Sequence, residues 1–297
     1  MIWQTVEDSL ETLEKAKDGY SSARRGIVTL PDETRVFVKI GVDENTNQWA
    51  KKEIAVYEFL STHSFNPMPK LISYSANQAA FALEPLEVPD GWNWKNEWSN
   101  ERLQATLAAM DELARLKLSE DEARLFSAKS MSETSNGWKP LSESKEKQAL
   151  LRDKLVKAGY ADFVSKFDIQ ANTAVSMKYV FINDSLVHND VRADNCAWNP
   201  GTQQVKLIDW NWLQVGDRRI DINAMLVDVY KSGFDVVSGF ADRLDSDALQ
   251  WLGGFWLNAA ATPIKPGGPE HSSLRDYQLE SGVAALRLRE SFLERVR

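Results

Sequence analysis

Three oxygen-bearing side chains fall in a short stretch late in the sequence: Asp190, Asn195 five residues on, and Asp209 fourteen beyond that, with His188 just ahead of the first. The pattern is His-x-Asp-x-x-x-x-Asn followed by a second Asp after the β-rich run 205–208. Transfer of a phosphoryl group asks for little covalent help from a protein. It needs a carboxylate near the attacking hydroxyl, oxygen ligands for Mg²⁺, and positive charge beside the phosphates. Asp190 suits the first need, and Asn195 with Asp209 the second. Mg²⁺ binds carboxylate and carbonyl oxygens and retains water, so one Asp and one Asn beside the phosphates of ATP or GTP make a coherent site. Taken singly, His188 reads as well as a core histidine and each aspartate as a turn cap; it is the joint spacing that argues for chemistry.

Local structure must bring these groups together. Residues 196–199 and 205–208 read as two strands around a turn containing Pro200, Gly201 and Thr202, a hairpin that would return Asp209 to the side of Asn195. The positive charge is sought in the N-terminal part, where the run Val36-Phe37-Val38-Lys39-Ile40 alternates Phe37 and Lys39 against Val36, Val38 and Ile40. A helix predicted over 44–60 carries Trp49, Val56, Tyr57 and Leu60 on one face, and Glu53 lies within that stripe. A buried carboxylate without a partner costs several kcal/mol, which makes Lys39 the natural partner for Glu53. Glu44, Lys51, Lys52 and Glu58 sit off the stripe and read as solvated.

Around these residues the chain separates into parts. Strands are predicted at 24–30 and 35–40, joined through Pro31 and Asp32, and again at 70–74 and 79–83, giving a small β-rich lobe over 1–83 with one helix. Pro85, Pro89 and Gly91 mark 84–91 as a linker. Helical periodicity dominates 92–297, with helices predicted at 100–118, 143–158, 162–182, 219–230, 245–261 and 273–296 and a polar loop at 127–144.

The set His188, Asp190 and Asn195, then Asp209-Trp210, Gly216-Asp217 and Asp221, resembles the catalytic core of the aminoglycoside phosphotransferase and choline kinase family. The resemblance implies an α+β, bilobal protein-kinase-like fold with a β-rich nucleotide-binding lobe, a hinge at 84–91 and a mainly helical C-lobe holding the catalytic loop and the acceptor. It further implies Asp190 as catalytic base, His188 as support for its loop, Asn195 and Asp209 as metal ligands, and Asp217 and Asp221 as braces. Lys39 and Glu53 would hold the nucleotide phosphates, and the backbone around Glu84 and Leu86 would meet the purine. The segment 18–26 lacks G-x-G-x-x-G, so its backbone and the hydroxyls of Ser21 and Ser22 are the candidates for covering the phosphates. Arg192 is a candidate for the transferred phosphate, against a structural ion pair. Trp92, Trp94 and Trp98 are candidates for stacking on the nucleotide, against packing. The Asp-Phe-Gly and Ala-Pro-Glu signatures of protein kinases are missing, which disfavours a protein substrate.

Composition bounds the remaining choices. A chain of 297 residues, 43% hydrophobic and 26% charged, is ordinary for a two-lobed globular protein and excludes a wholly disordered one. Net charge −8 disfavours nonspecific attraction to nucleic acid or anionic membrane. No apolar run reaches spanning length and the N-terminus lacks a signal-like pattern, so a cytoplasmic location is expected. Cys196, the single cysteine, excludes an internal disulfide and reads as a buried thiol. The acceptor is expected to be a small-molecule hydroxyl. An antibiotic such as an aminoglycoside would suit the acidic balance, with Asp228, Asp235, Asp242 and Asp245 as candidate contacts. A choline, amino-acid or sugar kinase fits as well, a catalytically silent nucleotide-binding regulator is the alternative of another class, and the oligomeric state is left open.

Overall fold

β-Branched and aromatic residues flanked by turn formers set the N-terminal strands, and 3.6-residue periodicity takes over after the tryptophan-rich segment. The computed structural model describes residues 3–16, 22–95, 97–127, 136–262 and 272–296. Its elements in chain order begin with α1 (Trp3–Asp8), β1 (Glu14–Lys15), β2 (Arg24–Thr29), β3 (Arg35–Ile40), α2 (Glu44–Thr62), β4 (Leu71–Tyr74), β5 (Ala80–Leu83) and α3 (Asn100–Ala114). There follow α4 (Glu120–Leu125), α5 (Trp138–Glu143), α6 (Lys145–Lys157), α7 (Ala161–Lys166), α8 (Ile169–Ser176), β6 (Asn183–Val187), β7 (Cys196–Asn199) and β8 (Gln204–Leu207). The chain ends with β9 (Gln214–Asp217), α9 (Arg218–Lys231), α10 (Val236–Phe240), α11 (Ser246–Ala260) and α12 (Ser272–Arg295). Two compact units result: Met1–Lys117 with Ala193–Leu213, and Leu118–Arg192 with Gln214–Arg297.

In the first unit an antiparallel sheet runs in the order β1-β2-β3-β5-β4. The β2–β3 turn places Glu33 at φ 66°, and Asp32 stabilises it by accepting the Thr34 N–H at 3.0 Å. Val28, Val36, Val38 and Ala82 form the core of one face with Val6 and Leu30. Helix α2 starts at a capping box, in which the Asp43 carboxylate accepts the Thr46 N–H while the Thr46 hydroxyl accepts the Asp43 N–H. Its buried residues include Ala50, Glu53, Ile54, Val56, Tyr57 and Leu60. Trp49 shares the helix face of Val56 and Leu60, as predicted, yet it is 44% exposed, so the apolar stripe is covered only from Ala50 onward at this end.

The same unit holds 84–117 and the β7–β8 hairpin. Asn93 and Trp198 exchange backbone hydrogen bonds, and Leu86, Trp92 and Ala197 pack as one cluster with Trp94 and Ile208 against it. These contacts tie the residues just after the predicted linker to the hairpin. At Gly91, φ is +86° and a Cβ would approach the Asn199 amide to 3.1 Å, so this turn favours glycine.

The second unit is mainly helical, with β6 and β9 paired antiparallel. Its core gathers Trp138, Leu141, Leu151, Leu155, Leu257, Leu279 and Val283. The helix predicted over 162–182 is two helices, because the Asp168 carboxylate accepts the Gln170 and Ala171 N–H groups and starts α8 afresh. The polar loop predicted over 127–144 contains α5, whose Trp138 indole donates to the Gln250 carbonyl at 2.7 Å and lies where a Cβ at Gly254 would stand. Ser119 and Glu122 form a capping box for α4, a signal present in the sequence. No helix among the described residues is long and apolar enough to cross a membrane.

Candidate active site

In the first unit, strand β3 and helix α2 bring Lys39 and Glu53 into an ion pair in which both residues are buried. Lys39 Nζ also lies 3.3 Å from Asp209 Oδ1. Burial opposes the charge on Lys39, but the carboxylates of Glu53 and Asp209 outweigh it and hold the ammonium above its ordinary range. Asp209 has φ 64°, a left-handed conformation that Asp tolerates better than most residues. Its side chain caps nothing in the short helical turn that follows, and it points instead to the lysine.

The hairpin registers Cys196 against Leu207, and the Ile208 N–H donates to the Asn195 carbonyl at 3.0 Å. Asn195 and Asp209 thus leave the same end of the hairpin. An amide and a carboxylate suit Mg²⁺, which needs few protein oxygens where phosphates supply others. Among the described residues no cluster of three or more His, Cys, Asp or Glu side chains could hold a metal without such help.

The backbone of the predicted linker 84–91 is partly engaged. The Glu84 N–H donates to the Lys70 carbonyl at 2.9 Å, and the Leu86 carbonyl accepts the Trp94 indole N–H at 2.8 Å. The Glu84 carbonyl and the Leu86 N–H take part in no hydrogen bond among the described residues. Ser22 donates to the Asp43 carboxylate at 2.6 Å, and Ser21 lies outside the described residues.

In the second unit, fully buried His188 accepts the Asp190 N–H at Nδ1, 3.2 Å away, which assigns the ring proton to Nε2. Asp221 on α9 accepts the His188 N–H at 3.1 Å and the Asn189 N–H at 2.7 Å. Burial raises its carboxyl to about 6, although both N–H groups pull it down. Asp217 accepts the Tyr179 hydroxyl and the Ile182 N–H, both at 2.9 Å, and pairs with Arg219 at 2.7 Å. Arg192 Nε lies 3.2 Å from Asp190 Oδ1, and its guanidinium sits 5.2 Å from the centre of the Tyr277 ring on α12.

Residues 12–256 match the model of the phosphotransferase enzyme family, APH. The chain belongs to this family. The matched segment spans Lys39 through Asp221 and ends before α12. Among solved structures, choline kinase LicA from Streptococcus pneumoniae is 11% identical with a TM-score of 0.60, covering 96% of this chain and 98% of that one. Spectinomycin phosphotransferase APH(9)-Ia, in complex with ADP and spectinomycin, is 10% identical at the same TM-score and the same coverages. The streptomycin–ATP–APH(2")-IIa ternary complex is 14% identical with a TM-score of 0.50, covering 96% and 95%. These likenesses establish the kinase-like α+β fold. A comparison with curated protein sequences returns no match.

Within this family fold, three residues near the site escape motif reading. Asn211 donates to both Glu53 and Asp209. Arg102 on α3, wholly buried, donates to the carbonyls of Ala193 and Cys196 on either side of Asn195. Tyr277 backs Arg192 from a helix almost ninety residues downstream. Arg102 had one legible trace, a charge within the apolar stripe of Leu103, Thr106, Leu107 and Met110. Trp92 and Trp94 pack around Leu86, and Trp98 lies 4.4 Å from the Arg102 guanidinium.

Proposed function

We propose that the protein is a nucleotide-dependent small-molecule kinase that moves the γ-phosphoryl group of ATP or GTP to a hydroxyl. The observation that carries this reading is the buried Lys39–Glu53 pair with Asp209 beside it, a costly arrangement of charges that phosphate binding would use. The purine would accept from the Leu86 N–H and donate to the Glu84 carbonyl, two backbone groups of 84–91 without partners among the described residues. Lys39 would hold the phosphates, with Asn195 and Asp209 as ligands of Mg²⁺. When bound, that ion would offset charge on the phosphate oxygens.

Asp190 would orient the acceptor hydroxyl and take its proton as the new O–P bond forms. The bond from the γ-phosphorus to the bridging oxygen breaks, and the nucleoside diphosphate leaves with that electron pair. The hydrogen bond from the Asp190 N–H to His188 holds the loop in shape. Arg192, paired to Asp190, would steady the carboxylate before the acceptor arrives.

Of the four aspartates considered as contacts for a polycationic drug, Asp242 is exposed and the other three are engaged or buried. Asp235 caps α10, Asp245 caps α11 and lies 3.7 Å from Arg219, and Asp228 is buried. The acceptor is therefore given as a hydroxylated small molecule, antibiotic or metabolite. The test is nucleoside diphosphate release across a panel of aminoglycosides, choline-like alcohols, sugars and hydroxy amino acids. D190A should lose about 10²-fold or more in kcat, the scale of a general base. Turnover by D190A and D209A equal to wild type would favour the regulator instead.

A further inference from the structure

The position two residues after Asp209 carries a side chain that the reaction as described does not use. Asn211 Nδ2 donates to Glu53 Oε1 at 2.7 Å and to Asp209 Oδ1 at 2.8 Å. Lys39 Nζ donates to the same two oxygens. Each oxygen is thus held twice, once by a charged donor and once by a neutral one. Both hydrogens of the amide nitrogen are in use, and the opposite orientation would press Asn211 Oδ1 against two carboxylates. The main-chain carbonyl of Asn211 accepts from Lys52 Nζ, so α2 grips this residue at its backbone through Lys52 and at its side chain through Glu53.

Phosphates that attract Lys39 draw the ammonium away from Asp209. Glu53 and Asp209 would then face each other as like charges, both within reach of one nitrogen atom. Asn211 bonds to both without adding charge, and Lys52 keeps it in place. We propose that Asn211 is a positioning residue, which fixes Asp209 through Oδ1 so that the carboxylate presents its other oxygen in one orientation to a divalent cation. The proposal rests on the phosphotransfer reading, in which Asp209 is a metal ligand.

The experiment is ATP binding by titration calorimetry on the full chain, with and without saturating Mg²⁺, for wild type, N211A, N211S and D209A. In wild type Mg²⁺ tightens ATP binding, and in D209A the gain is lost. N211A weakens binding in Mg²⁺ by about 10- to 100-fold, the scale for removing a group that orients a metal ligand, while metal-free affinity is unchanged. N211S keeps one donor and falls between, and it carries the test if thermal melting shows N211A unfolded. Equal losses with and without Mg²⁺, or a gain that survives N211A but not D209A, overturn the role of Asn211 alone. A wild type whose ATP affinity ignores Mg²⁺ overturns the metal role of Asp209 and this proposal with it.

Discussion

Replacing Asp221 by alanine should destabilise the protein by an amount that depends on pH. The carboxylate is buried and accepts the backbone N–H groups of His188 and Asn189. Alanine leaves two buried donors without an acceptor, at about 1–3 kcal/mol each. In wild type at pH 7.5, however, the ionised group already carries the cost of its burial. A carboxyl raised from 3.8 to about 6 corresponds to about 3 kcal/mol. The net loss in D221A at pH 7.5 is then about 1 kcal/mol. The sign of the pH dependence follows from the direction of the shift. Folding raises the affinity of this group for a proton, so its contribution is full below about 4 and is lost as pH rises through about 6. Moving from pH 7.5 to 5.5 therefore stabilises wild type by about 0.8 kcal/mol relative to D221A. Urea denaturation followed by tryptophan fluorescence at the two pH values measures the difference. D221N, which has no charge to bury, should show the same missing pH term. A D221A penalty that is constant between the two pH values, or larger at the alkaline one, would refute the argument.

E53A should cost about 3–5 kcal/mol in urea denaturation, because it leaves the buried Lys39 ammonium with Asp209 as its remaining ion-pair partner among the described residues. The double variant K39M/E53L should recover part of that stability and still transfer no phosphoryl group. Y277L should lower kcat about tenfold by removing the ring behind Arg192, whereas Y277F, which keeps the ring, should stay near wild type; steady-state kinetics with the identified acceptor decides.

What could be read from the sequence divides along a physical line. Backbone rules are local, so strands β2 to β5, helix α2 and the β7–β8 hairpin were predictable from turn residues and periodicity, and the hairpin joins the Asn195 carbonyl to the Ile208 N–H. The Lys39–Glu53 pair was legible because a carboxylate in an apolar stripe demands a cation. The short helix α5 was not legible: Trp138 and Leu141 hold it in the core, and the Trp138 bond to Gln250 on α11 crosses 112 residues and leaves no periodic trace. Likewise Asp168, one acidic residue in a long apolar pattern, starts a new helix only because its side chain satisfies two N–H groups.

The same line separates the proposed reacting groups from the residues that hold them. A carboxylate that accepts a proton or binds a metal must be of one residue type, and its spacing is fixed by a tight loop and a hairpin. A residue that holds such a group need only offer a donor from the right direction, and many chain positions and residue types meet that demand. Asn211, Arg102 and Tyr277 come from three distant segments and supply an amide, a guanidinium and a ring. Specificity for the acceptor belongs to this second class, since it depends on which side chains many helices present together. Asp235 and Asp245 make the point: in sequence they resemble contacts for a cationic ligand, and in the folded chain one carboxylate oxygen of each is bonded to backbone N–H groups of helices α10 and α11. Charge counted along a sequence overstates the charge available to a substrate wherever aspartates begin helices. The acceptor is therefore better sought by assay across chemical classes than from the net charge.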